Sequence, residues 1–274
     1  MTLPVGGATR VAGVIGDPVG HSRSPAIHNA GYAALGLDWV FVAFPVPAGH
    51  APAALDGVRA LGIAGLSVTM PHKTEAAAAC DELTPTASTL GAVNTVVNCD
   101  ERLVGDSTDG AGLLRALAHE GVEARGKSLL VLGAGGAARA IVLALADAGA
   151  DVVVAARRLD AARAAAELAA DVGVIGFDDL DGAVRAASVV INATPLGMRG
   201  EPPPFDPASL EGCSFVLDTV YHPAETPLLR VAKARGVPCA NGLGMLVHQA
   251  ALAFELFTGC EGPLPAMWEA ATLE

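Results

Sequence analysis

From residue 109 onward, short β-branched runs and alanine-rich stretches take turns along the chain, and that rhythm leaves few folds open. The pattern predicts helix 112–120, strand 128–132, helix 137–148, strand 151–155, helix 160–170, strand 172–176, helix 179–186, and strands 188–193 and 215–220. Strands separated by helix-length segments form parallel sheets through crossover connections, so the expected class is α/β. The first hundred residues follow a looser version of the rule. Strands are expected at 11–16, 39–46 and 64–70, with a helix from Pro25 and another over 73–83 after Pro71 stops the strand. A short hairpin, 92–97 with 102–105, turns at Cys99-Asp100-Glu101. The segment 199–207 carries four prolines and reads as a loop, and about two helices follow Asn241. The parse is two lobes: residues 1–108 completed by the final helices, 242–274, and residues 109–241 between them.

Composition narrows the possible functions. A chain of 274 residues, 52% hydrophobic, buries a real core. Seventeen basic residues against 29 acidic give a net charge of −12 with no basic cluster, which excludes a nucleic-acid partner held by a cationic surface. Any anionic ligand must be gripped by a few placed donors. Five scattered cysteines, none in a C-x-x-C pair, suggest neither a disulfide framework nor a thiolate zinc site, and no other metal constellation is visible. Arg139, Asp147 and Asp151 interrupt the apolar stretch 129–156, so it is not a membrane span. The first residues lack a charged-then-apolar signal region, and a cytoplasmic protein is expected.

The turn Gly133-Ala134-Gly135-Gly136-Ala137-Ala138 follows a predicted strand and opens a predicted helix, the context that a dinucleotide-binding turn requires. Gly133 permits the tight turn, Gly135 lets backbone approach a pyrophosphate, and Ala138 keeps helix and strand close. The helix N-terminus then offers unpaired N–H groups to the phosphates. At the end of the next strand stand Ala156, Arg157 and Arg158, with the first acid at Asp160. An acid at that point would bind the ribose hydroxyl of NAD, whereas arginines fork onto the 2′-phosphate of NADP. NADP is the expected cofactor.

Two segments in the first lobe suggest a substrate site. In isolation, His21-Ser22-Arg23-Ser24-Pro25 reads as a pair of helix N-caps. Ser67-Val-Thr69-Met-Pro71-His72-Lys73 ends a buried strand, where α/β sites collect, in a chain with only three lysines. Taken with Gly91-Ala-Val-Asn94-Thr95, Ser107-Thr-Asp109-Gly110, Ile191-Asn-Ala-Thr-Pro-Leu-Gly-Met198, Asp218-Thr219-Val-Tyr221-His-Pro223 and Gly242-Leu-Gly-Met-Leu246 up to Gln249, these motifs resemble the shikimate dehydrogenase family over nearly the whole chain. The resemblance implies a substrate-binding α/β domain completed by the last helices and a Rossmann-like NADP-binding domain. It implies that Ser22, Ser24 and Tyr221 bind the substrate carboxylate, and that Thr69, Asn94 and Gln249 meet the ring hydroxyls. Lys73 and Asp109 correspond to the catalytic pair. Gly133, Ala134, Gly135, Gly136, Ala137, Ala156, Arg157 and Arg158 correspond to the cofactor segments, with Thr219 and Gly242 near the nicotinamide.

Ser67 and Ser107 stand where asparagines are common in the family, and Ala156 replaces a frequent asparagine; the shorter side chains have fewer hydrogen-bonding groups. The implied reaction is reversible hydride transfer between NADPH and 3-dehydroshikimate. Lys73 supplies charge and a proton at the carbonyl oxygen, and Asp109 orients the ammonium. Partners would be the small substrate alone, with no nucleic acid or membrane, in a monomer or homodimer. The alternatives are a broader quinate/shikimate or aminoshikimate enzyme, and a non-catalytic NADP-binding sensor.

Overall fold

Arg10–Gly16 forms the first strand (β1) of the computed structural model, which describes residues 5–273. Its last five residues are all buried, as a strand between parallel neighbours should be. The chain continues through α1 (Ser24–Leu35), β2 (Trp39–Pro45), α2 (Ala51–Leu61), β3 (Gly65–Val68), α3 (Lys73–Ala79), β4 (Glu82–Leu83), α4 (Pro85–Leu90), β5 (Thr95–Cys99) and β6 (Arg102–Asp106). These strands make one sheet in the order β2-β1-β3-β5-β6-β4. β1 pairs in parallel with β2 and β3, whereas β5 runs antiparallel to both β3 and β6. Ile15, Leu66, Val68, Val96 and Leu103 pack one face against Leu55 and Val58 of α2 and Ala76 of α3.

The alternation pattern misses α2, α4 and β4. The helix expected over 73–83 ends at Ala79 because Cys80 is extended and Asp81 is drawn onto the sheet edge. Its N–H donates to Leu103 O at 2.9 Å, and its carboxylate accepts from Leu103 N–H at 2.7 Å. The short helix α4 is defined by its ends. Thr84 Oγ1 accepts from Ala87 N–H, Pro85 occupies the first turn, and Gly91 closes it in the left-handed region at φ 59°.

The second unit contains α5 (Asp109–His119), β7 (Ser128–Leu132), α6 (Gly136–Asp147), β8 (Asp151–Ala155), α7 (Leu159–Ala166), β9 (Gly173–Ile175), α8 (Leu180–Ala186), β10 (Val189–Asn192), β11 (Phe215–Asp218), α9 (Pro227–Ala234) and β12 (Cys239–Ala240). The last two elements extend the sheet beyond what the rhythm shows. Every strand pairing is parallel, in the order β9-β8-β7-β10-β11-β12. Numbered within the unit, this is 3-2-1-4-5-6, the doubly wound Rossmann order. Leu129 and Val131 enter one core with Ile141 and Val154, while Leu130 and Leu132 enter another with Val184 and Val216. Burial on both faces explains why these strands read as unbroken apolar runs.

Two helices close the chain, α10 (Leu243–Thr258) and α11 (Leu264–Thr272). By contacts, one unit runs to Thr108 and resumes at Val247, and the other is Asp109–Leu246. The first turn of α10 groups with the second unit because Met245 packs into the Leu129 core and Gly242 lies against the Thr219 backbone. α11 packs on α1 in the first unit. Among the described residues no helix is long and apolar enough to cross a membrane.

Candidate active site

In a doubly wound sheet, ligands bind beyond the carboxyl ends of the strands where the strand order reverses. In the second unit that point lies between β7 and β10, and the cleft there measures about 570 Å³, within the range of ~300–1,000 Å³ usual for ligand sites. Gly133 follows β7 with φ at +115°, a conformation L-residues rarely adopt, and a Cβ there would lie 2.8 Å from Ala193 O. Gly135 caps α6 in an extended conformation, and no atom lies within 4 Å of where its Cβ would be. The backbone is thus open to close approach at the helix N-terminus.

Gly133, Ala134 and Gly135 line the cleft together with Ala156, Arg157 and Arg158. Both arginines are exposed, and among the described residues neither is paired with a carboxylate. Gly136 and Ala137 sit in the first turn of α6, outside the lining. The glycine cradle and two unpaired guanidinium forks suit a dinucleotide carrying an extra phosphate. The cleft also includes Ala161, the end of the 156–161 segment that the family resemblance assigns to the cofactor, and it adds Phe177 and the segment from Ala193 to Leu196, for which the sequence alone implies no role. The Asn192–Met198 motif was the available signal for that segment; Phe177 offered none.

Thr219 and Gly242 lie outside this lining but touch one another. A Cβ on Gly242 would come within 1.9 Å of Thr219 O, and Gly242 N–H donates to Val220 O at 3.1 Å. Close backbone approach, not turn geometry, requires glycine there. Tyr221 follows at half burial, and Asp109, the buried first residue of α5, also belongs to the second unit.

The first unit has its own reversal of strand order, between β1 and β3. From β1 the chain reaches Ser22 and Ser24. The capping alternative fails, because Arg23 occupies the N-cap position of α1 and no side chain caps it. Ser24 is buried, and Ser22 Oγ accepts from its N–H at 3.3 Å. From β3 the chain reaches Thr69, whose N–H donates to Ile15 O at 3.0 Å, and then Lys73 at the start of α3, both half-buried. Val68 N–H donates to Asn94 O at 2.7 Å, so the antiparallel β5 brings Asn94 to the same end of the sheet.

Asn94 is 4% exposed and its amide orientation is determined. Oδ1 accepts from Thr108 N–H at 2.7 Å, while Nδ2 donates to Thr108 Oγ1 at 2.9 Å and to Gln249 Oε1 at 3.4 Å. Thr108 Oγ1 also donates to Gln249 O at 3.1 Å. The structure therefore brings Thr69, Lys73 and Asn94 to the ends of β3 and β5, with Gln249 joined to Asn94, and it adds Thr108, to which the sequence alone assigns no role. His72 is structural: fully buried, its Nε2 donates to Val46 O at 2.8 Å.

Family models match three segments: a shikimate dehydrogenase substrate binding domain over 14–96, a shikimate / quinate 5-dehydrogenase model over 116–196, and a shikimate 5'-dehydrogenase C-terminal domain over 242–272. The chain is 44% identical to the shikimate dehydrogenase (NADP(+)) of Symbiobacterium thermophilum, covering 97% of this chain and 94% of that one. It is 45% identical to the enzyme of the same name from Methanopyrus kandleri, over 98% and 97% of the two chains. Among solved structures, shikimate 5-dehydrogenase from Thermus thermophilus in complex with NADP(H) and shikimate superposes with a TM-score of 0.88 at 38% identity, covering 96% of this chain and 98% of that one. With the doubly wound second unit, its glycine cradle and the strand-end cluster of the first unit all in place, the chain belongs to the shikimate dehydrogenase family.

Proposed function

We propose that this chain is an NADP-dependent shikimate dehydrogenase, interconverting 3-dehydroshikimate and shikimate on the route to chorismate and the aromatic amino acids. The observation that carries the reading is the pairing of glycine cradle and Arg157–Arg158 on one cleft, in a chain whose first unit gathers Thr69, Lys73, Asn94 and Gln249.

Gly133, Ala134, Gly135, Gly136 and Ala137 would hold the pyrophosphate, and Arg157 and Arg158 the 2′-phosphate, with Ala156 beside them and Thr219 and Gly242 on the nicotinamide side. Bound NADPH supplies the hydride. The remaining tasks fall to side chains. Ser22, Ser24 and Tyr221 hold the substrate carboxylate, and Thr69, Asn94 and Gln249 orient the ring through its hydroxyls. The carbonyl oxygen gains negative charge as it is reduced, and Lys73 meets that charge with an ammonium and then gives up a proton. Asp109 orients the ammonium.

The test is the initial rate of NADPH formation by the purified protein with shikimate or quinate, each with NADP or NAD. Strong activity confined to shikimate with NADP is expected. Comparable rates with quinate and NAD would place the chain in the broader quinate/shikimate group, and cofactor binding without turnover would make it a sensor. The reading extends to a cytoplasmic monomer or homodimer with no nucleic-acid partner, in keeping with the charge of −12. Sedimentation equilibrium checks the oligomeric state, since a larger assembly would exclude it.

A further inference from the structure

Asp218 ends β11 with no exposed surface, and the roles proposed above do not use it. Its carboxylate meets only donors. Oδ1 accepts from Asn192 Nδ2 at 2.9 Å and Val220 N–H at 3.0 Å, and Oδ2 accepts from Thr226 Oγ1 at 2.6 Å. Thr226 Oγ1 also caps α9 by accepting from Leu229 N–H, which leaves its proton for Asp218. Burial raises the proton affinity of Asp218 and the three hydrogen bonds oppose the rise. Asn192 Nδ2 and Val220 N–H can only donate, and both meet Oδ1, so the surroundings favour the anion.

The consequence runs through Asn192. Its second Nδ2 proton goes to Leu196 O at 3.1 Å, and its Oδ1 accepts from Thr194 N–H at 3.1 Å and Thr194 Oγ1 at 2.6 Å. Thr194 Oγ1 in turn accepts from Leu196 N–H at 3.1 Å. A flipped Asn192 amide would aim its oxygen at a carboxylate and a carbonyl, so the anion fixes which way it faces. That choice shapes the segment from Thr194 to Leu196, one wall of the cleft. The other branch holds Val220, between Thr219 and Tyr221. We propose that Asp218 is a positioning residue: one buried carboxylate sets the Thr194–Leu196 wall through Asn192 and anchors the Thr219–Tyr221 segment directly. The inference rests on the reading that this cleft holds NADP.

The experiment compares wild type, Asp218→Asn, Asp218→Ala and Asn192→Ala by calorimetric titration with NADP, by amide hydrogen exchange, and by KM for shikimate. Asp218→Asn keeps the shape and one acceptor oxygen; Asp218→Ala leaves three buried donors unmet. NADP affinity is expected to fall severalfold in Asp218→Asn and about tenfold or more in Asp218→Ala, the effect of at least one unmet buried donor. Exchange should accelerate at the Leu196 and Val220 amides ahead of the rest of the unit. Asn192→Ala should weaken NADP while leaving the KM for shikimate unchanged, whereas both Asp218 variants raise it. A merely structural role would lower Tm and leave NADP affinity within twofold of wild type, with exchange faster everywhere alike, and that result overturns the proposal. Should Asp218→Ala fail to fold, Asp218→Asn decides. A wild-type chain that does not bind NADP overturns the functional reading, and the Leu196 and Val220 exchange rates then decide the role of Asp218 by themselves.

Discussion

His28 should make the first unit sensitive to acid, by an amount the structure sets. The imidazole has no exposed surface, and among the described residues neither of its nitrogens has a hydrogen-bond partner. It stacks on Phe41 with ring centroids 4.1 Å apart and planes 6° apart, and Tyr32, Phe254 and Phe257 lie within 6.2 Å. Burial without a compensating acceptor pushes its pKa from 6.5 down to about 3. In the unfolded chain the same group takes up a proton below its ordinary value. Stability is therefore complete above pH ~6.5, falls as the pH drops from there towards ~3, and then levels off. The full loss is about 5 kcal/mol, at about 1.4 kcal/mol per pKa unit, and at pH 4.5 it is about 3 kcal/mol. A cation on the Phe41 face would regain about 2 kcal/mol, too little to reverse the sign. The assay is urea denaturation of wild type and His28→Leu at pH 7.5 and 4.5, followed by tryptophan fluorescence. Both tryptophans of the chain, Trp39 and Trp268, lie in the first unit, so the signal reports the unfolding that matters. Taking the difference between the two proteins removes every other titrating group. Wild type should lose about 3 kcal/mol more than His28→Leu between the two pH values, and parallel profiles would sink the reasoning.

Lys73→Ala should lower turnover at least ~10²-fold, the usual worth of a positioned acid–base group, with NADP affinity by titration unchanged; near-normal turnover would remove Lys73 from that role. Arg157→Ala should weaken NADP roughly 10- to 100-fold, as loss of a charge-assisted hydrogen bond does, and leave NAD nearly untouched; equal losses would show that the 2′-phosphate is not recognised there. Thr108→Val removes one hydroxyl from the bonds to Asn94 and Gln249 while keeping side-chain volume. It should raise the KM for shikimate about tenfold and spare that for NADP, with Thr108→Ser restoring the wild-type value; an unchanged KM would count against Asn94 as a ring-hydroxyl ligand. Gly133→Ala should abolish tight NADP binding and lower Tm, because the added methyl lies 2.8 Å from Ala193 O at φ +115°. An unchanged Tm would mean that the turn relaxes freely.

The second unit was largely legible because its central strands are apolar on both faces. The runs 128–132 and 151–155 coincide with β7 and β8, and the glycine turn falls where β7 hands over to α6. Elements of two residues carry no periodicity, so β4 and β12 left no trace. The helices α4 and α9 were written in their caps, Thr84 with Gly91 and Thr226 with Pro227, which a search for strand rhythm does not weigh. The site was legible only by local motif. Phe177 and Thr194 reach the cleft from the ends of β9 and β10, strands held apart in the sheet by β8 and β7. The Asn94–Gln249 contact spans 155 residues of sequence, and no local pattern announces it.

Strand direction explains the placement of Asn94 better than any motif does. β1 and β3 point their carboxyl ends the same way and so deliver Ser22, Ser24, Thr69 and Lys73 as the residues that follow them. A third parallel strand would contribute residues from its own end in the same manner, and Asn94, which precedes β5, would then lie at the far edge of the sheet. β5 is antiparallel, with Thr95 opposite Ser67, so its first residues arrive where β3 leaves off. The return strand β6 then brings Thr108 back to that end, where its N–H and hydroxyl meet the Asn94 amide. The register is as decisive as the direction. A slip of one residue would turn Asn94 to the opposite face of the sheet and Val96 out of the core it shares with Leu66 and Leu103. The apolar packing of Val96 therefore holds in place the polar group that precedes the strand.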